Sequence, residues 1–367
     1  MKLVCVKSKC IYHWYTLLTL ILILFACYNS NNIRAPRSFP VSVEKSSSVT
    51  TSPKIHIAIT VCGKAVYGVD ALLTIKSIIA ETVPYSADLT LSIVWDESQV
   101  INIALVEPLK DFMNKSFFDN YLHIRFIPAI PLPTDFEVPF GKCASQRLFF
   151  PENPYFDDID SLIYVDTDTL FLKSPLVLWN EFTCFSSQHH TALANETNGG
   201  GGGYYRKRLA RNHVPCSEGS CKCKKGKEDC KRFHGFYGLN SGVVLMNLTR
   251  IRKTNFQARI RIAMKKYRFF GDQDVYNHLF AEKDEVYVLP CTWNFRTDSR
   301  CNIVTGIGIL HGNRKLFHRI GNFSSSELRP VGYFSSNYNR IRKMSWKNLE
   351  PHCLQCSSKG SLGFLCH

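Results

Sequence analysis

The residues best suited to chemistry lie in Ser161-Leu162-Ile163-Tyr164-Val165-Asp166-Thr167-Asp168-Thr169-Leu170-Phe171-Leu172, an apolar, β-branched run broken by two acids. Residues i and i+2 of a strand point the same way, so Asp166 and Asp168 are expected to project together where the strand ends. Two carboxylates that close repel each other, and burying either one unpaired is costly. A divalent cation resolves the conflict. Hard oxygen ligands suit manganese or magnesium, which keep positions open for substrate phosphates. As a bare tripeptide the same residues also make a turn with two exposed acids.

Three further segments carry groups of matching chemistry. Gly238-Leu239-Asn240-Ser241-Gly242-Val243 is a turn feeding a strand; Asn240 offers an amide and Gly242 permits close backbone approach. Gly271-Asp272-Gln273-Asp274 precedes a segment of helical spacing, and reads either as a helix start or as Asp272 and Gln273 facing a ligand. Ile309-Leu310-His311-Gly312-Asn313-Arg314-Lys315 ends a strand with one imidazole and two cations. A lone His is usually structural. Beside two carboxylates it completes a metal site, with Arg314 or Lys315 near phosphates.

Elements must hold these groups in place. Ile55 to Val61, Leu89 to Trp95 and Leu122 to Ile127 read as buried strands, Val69 to Ala80 and Gly141 to Phe150 as helices. Strand-helix-strand order predicts an α/β domain with a largely parallel sheet, whose ligands bind beyond the carboxyl ends of its strands. The Asp166 strand ends in the manner that rule requires. Residues 198–203 include five consecutive glycines, either a surface loop or a lid; Cys216, Cys221, Cys223 and Cys230 follow in a lysine-rich loop. Their spacing lacks paired Cys-x-x-Cys, which favours disulfides over zinc.

The first residues carry an address. Lys2, Lys7 and Lys9 precede an apolar run from Ile11 to Tyr28, long enough to reach the lower limit of a membrane span. The lysines outweigh Arg34 and Arg37 beyond it, which keeps the tail cytoplasmic. A cleaved signal peptide is the other reading; the end of the run has no clean small-x-small site. Either sends the rest into a secretory lumen. The 12 cysteines that follow Cys27, from the 15 in the chain, are an even number in a compartment that permits disulfides. Asn114, Asn195, Asn247 and Asn322 open glycosylation triplets. The expected layout is a cytoplasmic tail (1–10), a signal-anchor (11–28), a flexible stem (29–53), a catalytic domain (54–330) and a Cys-containing tail (331–367). A net charge of +15 is unaccompanied by any nucleic-acid-binding motif; much of it sits at Lys222 to Arg232 and Arg250 to Arg268, read as surface charge favouring an anionic ligand.

These motifs, in this order, resemble the glycogenin-like family of retaining glycosyltransferases, and within it most closely the glucoside xylosyltransferases. The closer match lies in the Arg147 to Pro151 run, Tyr164 to Asp168, Asn240 to Val243, Gly271 to Asp274, Leu289-Pro290-Cys291-Thr292-Trp293-Asn294-Phe295-Arg296 and Leu310 to Arg314. It spans roughly Ile55 to Phe317. The resemblance implies a GT-A type fold, a Rossmann-like mixed sheet flanked by helices, and a UDP-sugar donor with Mn2+, Mg2+ being the alternative. It implies Asp166, Asp168 and His311 on the metal, and Arg147, Asn240, Asp272 and Gln273 around the donor sugar. Thr60, Val61 and Tyr67 would receive uridine and ribose, with Gly312 and Arg314 or Lys315 completing the donor site. The subfamily implies type II membrane proteins of the Golgi or endoplasmic reticulum. They move xylose from UDP-xylose to glucose O-linked on epidermal-growth-factor-like repeats, with retention. The glycine run, the Cys216 to Cys230 loop, a short stretch between Asn240 and Gly271, and Gly312 directly after His311 depart from that pattern.

Chemically, such a transfer needs a stabilised leaving diphosphate and an acceptor hydroxyl on the same face of the sugar. Gln273 is neutral and a poor nucleophile, which favours front-face attack; Asp272 as a covalent nucleophile stays open. Transfer of glucose, galactose or glucuronic acid, and a catalytically silent lectin-like binder of the same fold, are the alternatives.

Overall fold

A computed structural model describes residues 54–346, apart from 83–86, 116–120, 135, 137, 139–142, 197–232, 236, 282, 300–302, 314 and 320–328. The described residues all belong to one compact unit, within Ser52–His367. The apolar run from Ile11 to Tyr28, the stem, the glycine run, the Cys216 to Cys230 loop, the C-terminal cysteines and Arg314 lie outside them. No helix among the described residues is long and apolar enough to cross a membrane.

Among the described residues, seven strands form one sheet in the order β3-β2-β1-β4-β7-β6-β8. They are β1 (Lys54–Val61), β2 (Asp88–Trp95), β3 (Leu122–Pro128), β4 (Ser161–Val165), β6 (Thr191–Asn195), β7 (Leu239–Asn247) and β8 (Val286–Leu289). The β1 pairs with β2 and β4, the β2–β3 pair and the β6–β8 pair are parallel, while β7 runs antiparallel to both β4 and β6. The sheet is therefore mixed, its parallel half being the part that strand-helix-strand order predicts. Two short strands, β5 (Thr169–Phe171) and β9 (Ile309–His311), make a second, antiparallel sheet.

Strand parity sorts the core into two faces. Ile57, Ile59, Ile163, Val165, Val243 and Leu245 join one apolar cluster with Ile75, Ile78 and Ile79 of the helix Ala65–Thr82. Ala58, Leu162, Tyr164, Val244 and Met246 join the other, with Phe256, Ile260, Val275 and Tyr276 from the helices Phe256–Lys266 and Asp272–Leu279. Burial on both faces explains why these strands read as continuous apolar runs, not as alternating ones. A third cluster joins Leu310 and Phe317 to Phe334 and Ile341 of the helix Arg329–Lys343. That helix crosses residue 330, where the sequence reading ends the catalytic domain, because its apolar residues complete the packing around β9.

The direction of β7 matters most for function. β1, β4 and β6 run towards one edge, and β7 starts there. Its first residues therefore meet the ends of β4 and β6, with Val165 opposite Val243 and Asn195 opposite Leu239. Asn277 clamps this start: its Oδ1 accepts from Leu239 N at 2.7 Å and its Nδ2 donates to Leu239 O at 2.8 Å.

Three arginines of the basic segment Arg250 to Arg268 have structural partners. Arg252 donates to the carbonyls of Pro151, Phe156 and Ile159, Arg250 to those of Ser186 and His189, and Arg259 pairs with Glu285. These guanidinium groups close loop carbonyls or pair with an acid, while Lys253, Arg261, Lys265, Lys266 and Arg268 remain exposed, as a reading of surface charge expects.

Candidate active site

The acids sit in a turn, not on the strand. β4 stops at Val165 and β5 starts at Thr169, so Asp166-Thr167-Asp168 bridges two sheets. The two side chains do converge, but the turn brings this about and strand alternation does not. The turn is fixed from three sides. Thr74 Oγ1, on the helix Ala65–Thr82, lies 2.6 Å from Thr167 O and 2.7 Å from Thr169 O. Asp166 N donates to Gly242 O at 2.9 Å, and Gly312 N donates to Asp168 O at 2.7 Å. Ser77 Oγ of the same helix accepts from Phe171 N at 2.9 Å and holds the start of β5.

His311 arrives through register. β9 pairs antiparallel with β5, which places His311 opposite Thr169. Its Nε2 lies 3.4 Å from Asp168 Oδ1 and 3.7 Å from Asp166 Oδ2. One ligand atom from each of Asp166, Asp168 and His311 falls within 4.8 Å of the others. Burial alone would lower the His311 pKa; Asp168 and Asp166 outweigh it and raise it. The ring packs onto Gly242, where a Cβ would stand 2.2 Å from His311 Cε1. The close approach that Gly242 permits is thus made by the imidazole. Two oxygens and one nitrogen at this spacing fit a hard or borderline divalent cation.

Arg147 ties the acid turn to the start of the helix Asp272–Leu279. It is carried by the 3-10 helix Ala144–Glu152, not an α-helix; Pro151 within it has no N–H to give. A disulfide from Cys143 to Cys62 fastens this helix to the end of β1. Arg147 is 2% exposed, its Nη1 is 3.0 Å from Asp166 Oδ1 and its Nε is 2.8 Å from Asp272 Oδ2. The Nη1 also donates to Ser241 O, and the guanidinium lies 4.1 Å from the Tyr164 ring centroid. Burial pushes the Arg147 pKa down, but Asp166 and Asp272 prevail and raise it. Burial raises the Asp272 carboxyl, and Arg147 opposes this only in part. Tyr164 adds a hydroxyl that donates to Asp166 Oδ1 at 3.1 Å.

Gln273 is tied to the start of β7 and the end of β6. Its Oε1 accepts from Ser241 N at 3.1 Å and its Nε2 lies 3.4 Å from Glu196 Oε2. The helix begins at Asp272 with Gly271 as its cap residue, so Asp272 sits in the first turn, where an acid complements the helix dipole. Asn240 donates to Glu196 Oε2 at 2.6 Å and accepts from Gly242 N at 3.0 Å.

Thr60 and Val61 end β1 and are buried; Val61 belongs wholly to the core, so it can offer only backbone to a ligand. Tyr67 is half-buried in the first turn of the helix Ala65–Thr82. Gly312 is needed for packing, since a Cβ there would meet the Phe317 ring at 2.3 Å. Lys315 is exposed and has a positive φ of 61°. Trp293 is a core residue, packed on Gly308 and donating to Glu181 Oε1 at 2.9 Å.

Several participants carried no readable signal in the sequence. Glu196, inside a glycosylation triplet, is 3% exposed and receives Asn240, Gln273 and the buried Arg296, whose Nη1 is 2.7 Å away. Asn294 joins Asn240 to His311, and Ser241 presents its backbone to Arg147 and Gln273. Asn294 and Arg296 stand next to Trp293, in a motif that marks a family without revealing their roles.

Residues 142–311 match the model of glycosyl transferase family 8. The chain is 33% identical over 293 residues to glucoside xylosyltransferase 1 of Gallus gallus, covering 73% of this chain and 60% of that protein. It is 31% identical over 287 residues to glucoside xylosyltransferase 1 of Mus musculus, covering 72% and 64%. Against glucoside xylosyltransferase 2 of Mus musculus it is 35% identical over 230 residues, covering 57% and 46%. The chain thus spans about half to two thirds of the length of these relatives. Among solved structures, mouse xyloside xylosyltransferase 1 in its apo form aligns with a TM-score of 0.51 at 17% identity, covering 71% of this chain and 98% of that one. The galactosyltransferase LgtC, in complex with donor and acceptor sugar analogs, aligns with a TM-score of 0.50 at 16% identity, covering 80% and 100%. With the mixed sheet and the Asp-Asp-His cluster, these likenesses show a GT-A-like fold whose residues 142–311 match glycosyl transferase family 8, in a chain similar to the glucoside xylosyltransferases.

Proposed function

We propose that this protein is a retaining glycosyltransferase that moves xylose from UDP-xylose to glucose O-linked on a glycoprotein, epidermal-growth-factor-like repeats being the acceptor class. The observation that carries the reading is the juxtaposition of Asp166, Asp168 and His311 with Gln273 and Asn240 at one sheet edge, in a chain 33% identical to a glucoside xylosyltransferase. Asp166, Asp168 and His311 would hold Mn2+. When bound, such an ion supplies Lewis-acid stabilisation of diphosphate oxygens as the leaving group gains charge.

The protein groups do the positioning. Arg147 fixes Asp166 and Asp272 in one arrangement and leaves neither carboxylate free to swing. Asp272 is buried against Arg147, and Gln273 has both ends of its amide engaged, with Ser241 and Glu196. Neither is a ready covalent nucleophile, which supports front-face attack, the departing phosphate accepting the acceptor's proton. The barrier then falls mainly through orientation and preorganised dipoles. Thr60, the Val61 backbone and Tyr67 would flank the nucleoside, and Asn240, Asp272 and Gln273 the sugar.

The discriminating experiment offers UDP-xylose, UDP-glucose and UDP-galactose against a β-glucosyl acceptor, with product configuration read by proton NMR. An α-linked xyloside is expected. A β-linked product, or preference for a hexose donor, refutes the reading. The Gln273→Ala variant is expected to lose about 100-fold in kcat while UDP affinity stays within about threefold, because the amide acts on developing charge and not on uridine. Equal losses in both would move Gln273 to the nucleotide site.

The same reading places the enzyme in the secretory pathway as a single-pass type II membrane protein with a lumenal catalytic domain. It rests on the apolar run from Ile11 to Tyr28 after three lysines. Endoglycosidase treatment of protein expressed in secretory cells should increase its gel mobility; unchanged mobility removes that support.

A further inference from the structure

The orientation of His311 is set by a chain of amides that ends at a buried ion pair. Gly242 N–H donates to Asn240 Oδ1 at 3.0 Å, which fixes which end of that amide is oxygen; Asn240 Nδ2 then donates to Glu196 Oε2 at 2.6 Å. Asn294 Nδ2 donates to the same Asn240 Oδ1 at 2.7 Å. That leaves the Asn294 carbonyl facing His311 Nδ1, 2.7 Å away. A carbonyl only accepts, so Nδ1 must carry a ring proton, which leaves Nε2, aimed between Asp166 and Asp168, as the nitrogen that would face a cation. Glu196, paired with Arg296 at 2.7 Å, anchors the far end. Every amide in the chain is buried, with Asn240 6% and Asn294 3% exposed, so water does not compete for these groups.

We propose that Asn294 is a positioning residue: its carbonyl, oriented through Asn240 by the Glu196–Arg296 pair, holds His311 as the Nδ1–H tautomer with Nε2 aimed between Asp166 and Asp168. The inference rests on the reading of these three side chains as a divalent-cation site. Packing against Gly242 confines the plane of the ring but leaves two orientations related by a half turn. That half turn exchanges Nδ1 with Cδ2 and Nε2 with Cε1, and would aim a carbon at the cation. Asn294 separates the two, because only the observed orientation places an N–H on its carbonyl. Partners that fix the outer nitrogen of a metal-binding His typically change metal affinity about 10–100-fold.

The test compares Asn294→Leu, which keeps the branched outline of Asn but is bulkier and cannot hydrogen-bond, with Asn294→Asp, which is nearly isosteric. Mn2+ affinity of metal-free protein is measured by calorimetry without UDP or donor, and the His311 tautomer by 15N NMR of histidine-labelled protein. Asn294→Leu should bind Mn2+ about 10–100-fold more weakly and lose the pure Nδ1–H signature. Asn294→Asp keeps an acceptor at Nδ1 but loses the donor to Asn240, and should weaken Mn2+ binding clearly less than Asn294→Leu does. Wild-type affinity and tautomer in Asn294→Leu, or equal weakening in both variants, overturn the relay. A wild-type protein that takes up no Mn2+ overturns the relay and the metal site together. Neither readout depends on which sugar is transferred, so failure of the xylosyl reading leaves this test intact.

Discussion

Replacing Asp168 by Asn should lower transfer rate by about a thousandfold while leaving the fold in place. The change keeps size and shape but removes one of the two negative charges that face His311 Nε2. A Lewis acid on a leaving diphosphate is worth several kcal/mol, and a site with one carboxylate fewer holds its cation weakly. Mn2+ and UDP affinities should fall together, because the diphosphate would be bound largely through the ion. Stability should change little. The metal-free protein loses an attraction between Asp168 and His311 but also a repulsion between Asp168 and Asp166. Asp168 holds the turn through its backbone carbonyl, which accepts from Gly312 N and which the substitution keeps. Thermal melting together with Mn2+ titration checks both halves. Full activity of this variant in chelator-treated buffer would falsify the metal assignment.

Replacing Arg147 by Met should do the opposite, with stability falling first. Arg147 is buried among Asp166, Asp272, Tyr164 and two backbone carbonyls, those of Ala144 and Ser241. Removing one partner of a buried pair leaves an uncompensated charge and typically costs about 3–5 kcal/mol. Asp272 is the group left exposed to that cost, being 5% accessible. Its carboxyl already lies above the ordinary carboxylate range because of burial, with Arg147 as the main opposing influence. Without Arg147 it rises further. A carboxyl whose folded pKa exceeds its unfolded value binds its proton more tightly when folded. It therefore favours folding below both values and opposes it once the pH climbs through them. The deficit of Arg147→Met should accordingly be largest at neutral pH and shrink as the solution is acidified. Urea unfolding of wild type and variant from pH 5 to pH 8 would show it. A deficit that does not vary with pH would mean that lost packing over Tyr164, not an unpaired Asp272, is responsible.

Much of the centre was legible because its residues carry local signals. Apolar strand runs ending in acids, an Asn-x-Gly turn and a helix start at Gly271 are written in neighbouring residues, and the structure brings Asp166, Asp168, His311, Asn240 and Gln273 together. The same local reasoning misplaced the cause of the Asp166–Asp168 convergence. Thr74 and Ser77, on a helix far earlier in the chain, bend that segment into a turn between two sheets. Nor did it single out Arg250, Arg252 and Arg259, within a segment whose other basic residues are mostly exposed, as groups that bind loop carbonyls. A guanidinium that closes loop carbonyls has the same letter in the sequence as one in solvent.

The sequence alone determined the residue types: two hard carboxylates, an imidazole, an amide before a helix, and β-branched strands that had to be covered on both faces. Tertiary structure decided who supports them. β7 runs against its neighbours, so Asn240 and Ser241 enter at the edge where β4 and β6 end, and Glu196 turns inward to meet Arg296. The pairing of β9 with β5 sets His311 opposite Thr169 and gives Asn294 its place behind the ring. Strand direction and register join residues tens to more than a hundred positions apart, and are fixed by the closing of the whole core. A buried Glu or Asn is therefore indistinguishable, in a local reading, from one at the surface.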